Sequence, residues 1–229
     1  MEKKILIIAA HPDDETLGCG GTIARHTAQG DFVSVLILAD GVTARSTIYN
    51  PELEAEKIKT RENDARKAMN VLGVQEINFL RLPDNRMDSL PLLEITKKIE
   101  THIDRLKPTI IYTHHANDLN IDHRITHHAT LTACRPKPGH CVCAIYAFEV
   151  LSSTEWEPTG LGSTFNPMRF VDISSFLEAK KIAMAAYSEE IAPFPNPRSL
   201  QAITAQSNLR GAQAGLLAAE SFMVIREII

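Results

Sequence analysis

The chain has 229 residues, 44% of them hydrophobic, which suits one large core and is too short for two generous ones, so one domain over residues 1–229 is expected. A net charge of −4 and a pI of about 6.1, with no run of like charges, exclude the basic footprint of a nucleic-acid binder. The balance points to a protein that handles a small molecule.

The first apolar run, Ile5-Leu6-Ile7-Ile8-Ala9-Ala10, predicts a buried parallel strand that stops at His11-Pro12-Asp13. It is too short for the apolar region of a signal peptide, and no later segment approaches a membrane span. The cysteines, Cys19, Cys134, Cys141 and Cys143, are too few to staple a chain of this size and lack zinc-knuckle spacing. A cytoplasmic protein with reduced thiols is therefore expected.

Gly18-Cys19-Gly20-Gly21 then opens a helix that runs to about Gln29 and is capped by Gly30. Asp31 to Ala39 predicts a second strand, Glu52 to Leu72 a long charged helix ended by Gly73, and Ile77 to Leu80 a third strand. Pro91 starts another helix, and Pro108 closes the turn into the apolar run Pro108-Thr109-Ile110-Ile111-Tyr112. His140-Cys141-Val142-Cys143 reads as the entry to a strand rather than a metal site. Ala144 to Val150 and Arg169 to Ile173 predict strands, separated by a Gly/Pro/Ser/Thr-rich loop, Ser152 to Pro167, expected to border a site. Helices over Ser174 to Ser188 and Arg198 to Ala219 finish the chain, and small residues from Ala202 to Ala219 allow homo-oligomer packing. Alternating strands and helices give an α/β class: a mostly parallel sheet with helices on both faces.

Chemistry-bearing residues gather at two predicted strand ends. Ala10-His11-Pro12-Asp13-Asp14-Glu15 follows the first strand, and Thr113-His114-His115-Ala116-Asn117-Asp118-Leu119-Asn120-Ile121-Asp122-His123 follows the run ending at Tyr112. In open α/β sheets that edge binds ligands, and adjacent carboxylates there need an offsetting charge such as a cation. If His11, Asp14 and His123 converge, two imidazoles and one carboxylate make a three-ligand set with a position left for water, as in catalytic zinc sites. Zinc is the first choice, with iron, cobalt or manganese compatible. Bound water would then supply hydroxide near neutral pH, and Asp13, beside a ligand, is the natural general base. The competing readings are a turn-capping Asp after Pro and a hydrogen-bonded His. His114, His115, His127 and His128 read as hydrogen-bonded, with His127 and His128 facing solvent or a neighbouring helix. Gly18 to Gly21 could cradle a phosphate, as in a Rossmann-like nucleotide binder, but Asp13, Asp14 and Glu15 would oppose it; close packing explains these glycines better.

The motif from Ala10 to Glu15, with Asp122-His123 downstream, resembles the LmbE-like, or PIG-L, zinc-dependent deacetylases, which remove N-acyl groups chiefly from N-acetylglucosamine-type sugars and their conjugates. Arg61 to Gly73, Leu82-Pro83-Asp84, Asp118 to His123 and Ala218 to Phe222 extend the likeness. The resemblance implies a Rossmann-like sheet, His11, Asp14 and His123 as ligands of zinc or another divalent transition metal, and Asp13 as general base. It also implies that Arg61 grips a substrate hydroxyl or departing carboxylate and that Asp84 holds sugar hydroxyls. Where many members carry a histidine, three residues before the last ligand, this chain has Asn120, flanked by Asp118 and Asp122 that can brace it. An amide can donate to an oxyanion but cannot deliver a proton, which shifts that task to Asp13, His114 or His115. The expected activity is metal-dependent hydrolysis of the N-acetyl amide of an amino sugar or sugar conjugate. The alternatives are a nucleotide- or metal-binding protein without catalysis and a metal-dependent hydrolase of another non-peptide C–N bond.

Overall fold

In the computed structural model, which describes residues 2–158, 160 and 162–229, apolar runs become strands buried on both faces. β1 (Lys4–Ala9), β2 (Phe32–Ala39), β3 (Glu76–Leu82), β4 (Ile110–His114) and β5 (Ala144–Phe148) pair in parallel. β6 (Arg169–Asp172) and β7 (Ala219–Glu227) complete the sheet, in the order β3-β2-β1-β4-β5-β7-β6, with β7 antiparallel to both its neighbours.

The strand period of two divides the core into two layers. Ile5, Ile7 and Ala9 face the layer that holds α1 (Asp14–Ala28), α2 (Ala55–Val71) and α5 (Leu177–Ala185). Leu6, Ile8 and Ala10 face α3 (Leu92–Leu106) and α4 (Ile121–Ala133). Helix α3 buries Ile95, Ile99, Ile103 and Leu106, one stripe at helical spacing, and Lys107 ends it in the left-handed conformation just before Pro108. Among the described residues no helix is long and apolar enough to cross a membrane.

Two sequence expectations change. The last helix, α6 (Leu200–Ala214), stops at Gly215 with φ of 72°, and Ala219–Glu227 forms strand β7 instead of continuing or trailing a helix. The alanine-rich approach masks the change, but Ala219 to Phe222 pair with β6 and Phe222 to Glu227 run along β5, so the strand fills the gap between them. Helix α1 starts at Asp14, before the glycines, and kinks at Cys19.

That kink exposes backbone N–H groups, and Glu220 from β7 takes them: Gly21 N donates to Oε1 at 2.9 Å and Thr22 N to Oε2 at 2.7 Å. Lys180 Nζ, 2.6 Å from the same carboxylate, balances its charge. The N–H groups that a phosphate would need are thus already occupied, which removes the nucleotide-cradle reading. A Cβ at Gly21 would lie 2.8 Å from Ile173, so close packing explains this glycine.

From β1 the chain passes to β2 and β3 on one side, while β4 and β5 lie on the other. The crevice beyond the carboxyl ends of β1 and β4 is therefore the topological switch point, where ligands bind in such sheets. Both histidine-bearing segments open into it.

Candidate metal centre

The switch point brings together residues more than a hundred positions apart. Asp14, in the first turn of α1, has Oδ2 at 3.1 Å from His11 Nδ1 and 3.2 Å from His123 Nε2, the latter in the first turn of α4. The donor atoms of His11, Asp14 and His123 all lie within 4.8 Å of one another. Each of these two imidazoles is also held at its other nitrogen. His11 Nε2 is 3.2 Å from both Asp84 Oδ1 and Asp122 Oδ2, and His123 Nδ1 is 3.1 Å from Asp118 Oδ1. A carboxylate behind an imidazole fixes its tautomer and turns the opposite lone pair toward a metal.

The donors fit a divalent transition ion. Asp14 Oδ1 is buried without a hydrogen-bond partner, an expensive arrangement for a carboxylate unless it serves a cation. His11, Asp84 and Asp122 also cluster within 4.8 Å. In that second group, however, Asp122 already accepts Asn85 N–H at 2.7 Å and Met87 N–H at 3.0 Å, so it serves better as the support of His11 than as a ligand.

The supports are themselves anchored. Asp118 accepts hydroxyl hydrogen bonds from Ser153 and from Thr154, the latter at 2.6 Å. Those two residues come from the start of the 152–167 loop, so this part of it does border the site; residues 159 and 161 lie outside the described ones. Asn120 caps α4: its Oδ1 accepts Asp122 N–H at 2.8 Å, and its Nδ2 donates to Asn85 Oδ1 at 2.9 Å.

Electrostatics follow from these neighbours. Burial opposes the charge of Asp14, but His123, His114 and His11 outweigh it and hold the carboxyl well below its usual range. Burial likewise opposes a charged His123, and Asp14 with Asp118 overcomes it, raising the imidazole to about 9.

Asp13 stands beside these donors with a backbone that few residues adopt, φ 126°. Its N–H donates to Glu15 Oε2 at 3.0 Å, its carbonyl accepts Leu17 N–H at 2.8 Å, and its Oδ2 accepts Arg198 Nη1 at 2.7 Å. Glu15 is in turn held by Thr16 and Tyr187 hydroxyls, each at 2.6 Å. Burial raises the Asp13 carboxyl, Arg198 opposes it and Asp14 adds to it, leaving a value of about 6. Asp13 lines a cavity of about 120 Å³ with His11, Arg61, Asp84, Asn120 and Arg198.

The other histidines follow the sequence reading in part. His127 is hydrogen-bonded as expected, its Nδ1 donating to the His114 carbonyl at 2.8 Å, but it is buried and not turned to solvent. His128 is exposed. His114 reaches the site, stacking on His123 with ring centroids 3.9 Å apart, and its Nε2 accepts Ala10 N–H at 2.8 Å. His115 instead donates to the Ser163 carbonyl at 2.8 Å.

Arg198, Glu190 and Arg45 escaped the sequence reading. Glu190 and Arg198 come from the connection between α5 and α6 and Arg45 from the segment after β2, and they meet in the cavity; the charged residues flanking the proline-punctuated stretch Pro193 to Pro197 are a usable hint.

A family profile described as GlcNAc-PI de-N-acetylase, PIG-L, matches residues 6–134. The diacetylchitobiose deacetylase of Thermococcus kodakarensis is 27% identical over 201 residues, 82% of this chain and 70% of that protein. Among solved structures, the N,N'-diacetylchitobiose deacetylase of Pyrococcus horikoshii superposes with a TM-score of 0.77 at 20% identity, covering 98% of this chain and 84% of that one. The 4-carboxy-2-hydroxymuconate hydratase GalB of Pseudomonas putida superposes with a TM-score of 0.76 at 22% identity, covering 99% and 98%.

Proposed function

The chain belongs to the PIG-L family, and from that membership we propose that it is a metal-dependent deacetylase that hydrolyses the N-acetyl amide of an amino sugar or sugar conjugate. The observation that carries the reading is the convergence of His11, Asp14 and His123, each imidazole backed by a carboxylate, next to the Asp13 carboxylate in a cavity. A fold shared with a hydratase does not choose the reaction; the ligand set and family pattern favour hydrolysis.

His11, Asp14 and His123 would hold a divalent ion, zinc first, which when bound would supply Lewis acidity for activating water and the acyl carbonyl. Asp13 accepts a proton of the attacking water and passes it to the departing amine as the C–N bond breaks, leaving acetic acid and the amine, which exchange a proton to give acetate and the ammonium form. Arg198 and the Glu15-held backbone keep the Asp13 carboxylate turned into the cavity. The second N–H of the Asn120 amide donates to the acyl oxygen, its first being given to Asn85. Arg61 and Asp84, both lining the cavity, orient the sugar.

The test joins metal analysis of the purified protein to an acetate-release screen over N-acetylated sugars. In Asp13→Asn the metal should stay while turnover falls about 10²–10⁴-fold, as for other general-base losses. Stoichiometric metal with no acetate released from any acylated amine would defeat the reading.

A further inference from the structure

We propose that Arg45, Arg61 and Arg198 bind an anionic substituent, carboxylate or phosphate, on the substrate's amino sugar or aglycone, an inference that rests on the deacetylase reading. All three line the cavity beside Asp13, and all three converge on one carboxylate. Glu190 Oε1 accepts from Arg45 and Arg61, and its Oε2 accepts Arg198 Nη1 at 2.7 Å. Arg198 also reaches Asp13 through Nη1 at 2.7 Å and Ser152 Oγ through Nε at 2.8 Å.

These cations are only partly satisfied. A guanidinium carries five N–H donors and no acceptor. The Arg61 side chain is 5% exposed and lines the cavity, and among the described residues Glu190 is its hydrogen-bond partner, so most of its N–H donors are uncommitted. Glu190 and Asp13 share these three guanidiniums, while the cavity's third carboxylate, Asp84, faces His11 at 3.2 Å and accepts Asn85 Nδ2 at 3.0 Å. Recognition of neutral hydroxyls asks for mixed donors and acceptors, whereas clustered forks that already surround one oxyanion suit another. Arg45, 55% exposed, carries the cluster from the cavity to its mouth. An acidic group projecting outward from the sugar would therefore meet arginine along its path.

Three probes test this: the methyl glycoside of N-acetylglucosamine, its carboxymethyl glycoside, and N-acetylglucosamine 1-phosphate. Acetate release is measured on all three, and calorimetric binding on the corresponding free amines, which are not turned over. At low salt the anionic amines should bind about 10–100-fold more tightly than the neutral one, and the preference should shrink as salt rises. The ranking of carboxymethyl against phosphate identifies the anion. Arg45→Gln, at an exposed position that should not disturb folding, should cut the anionic-to-neutral affinity ratio several-fold. Equal binding of the three amines, or a ratio unmoved by Arg45→Gln, would overturn the proposal. Selective anion binding with no acetate released from any probe would support the arginine site and sink the deacetylase reading instead.

Discussion

Asp14 and Glu220 are both carboxylates withdrawn from solvent, and both act on α1, yet their surroundings differ in kind. Glu220 is saturated: two backbone N–H groups and the Lys180 ammonium occupy its two oxygens, and Lys180 is held in turn by the Leu17 carbonyl at 2.8 Å. Asp14 has one oxygen crowded by three imidazoles and the His11 N–H, and another with no partner. A buried charge whose hydrogen bonds are complete stabilises the fold. One left open beside imidazoles is poised for a ligand.

Replacing Asp14 should show the larger effect, and on function. Asp14→Ala should lose the metal and cut turnover on the order of 10⁴-fold or more, because the donor set acts as a unit. Its thermal midpoint in chelator should stay close to that of the metal-free parent. A variant that binds metal stoichiometrically would break the contrast.

Glu220→Gln should show the reverse. It leaves Lys180 buried without its counter-charge, which costs about 3–5 kcal/mol of stability, while metal stoichiometry of the folded protein is unchanged. Denaturant unfolding with metal analysis reads both quantities. Loss of metal without loss of stability would mean that the two carboxylates do not divide the work this way.

Helix α4 repeats the contrast with histidines one turn apart. His123 is raised by Asp14 and Asp118, whereas burial pushes His127 down to about 4, with its bond to the His114 carbonyl only partly offsetting. Between that value and the ordinary histidine range near 6.5, the unfolded chain binds a proton that the folded one refuses. Stability should therefore fall as pH drops through this window, by about 3 kcal/mol from this residue when the window is crossed. Urea unfolding from pH 7 to 4 should show a shallower decline in His127→Asn, which keeps a donor near the carbonyl and does not titrate. Parallel pH curves for the two proteins would remove His127 as a source.

The smallest effect concerns the support of a ligand. Asp118→Asn should weaken metal binding about 10–100-fold without abolishing it, since the imidazole of His123 stays but its orientation is less firmly set. Competition with a calibrated chelator measures this. An unchanged affinity would leave Asp118 as an anchor for Ser153 and Thr154 alone.

Much of the frame was legible because it depends on local period. Runs such as Ile5 to Ala10 must be buried on both faces, glycines and prolines end the helices, and polar clusters after apolar runs must sit at strand ends. Composition and motif alone thus put His11, Asp13 and Asp14 at an edge where ligands bind. Strand order decided the rest. Only because β4 lies against β1 does His123 reach Asp14, and only because β7 inserts between β5 and β6 does Glu220 reach the kink of α1. The backbone role of Asn120, the burial of His127, and the meeting of Arg198 with Asp13 across most of the chain are likewise tertiary facts. A sequence pattern reports which face of its own element a residue takes. Which element packs opposite that face, and so which charges meet, follows from the topology of the whole sheet.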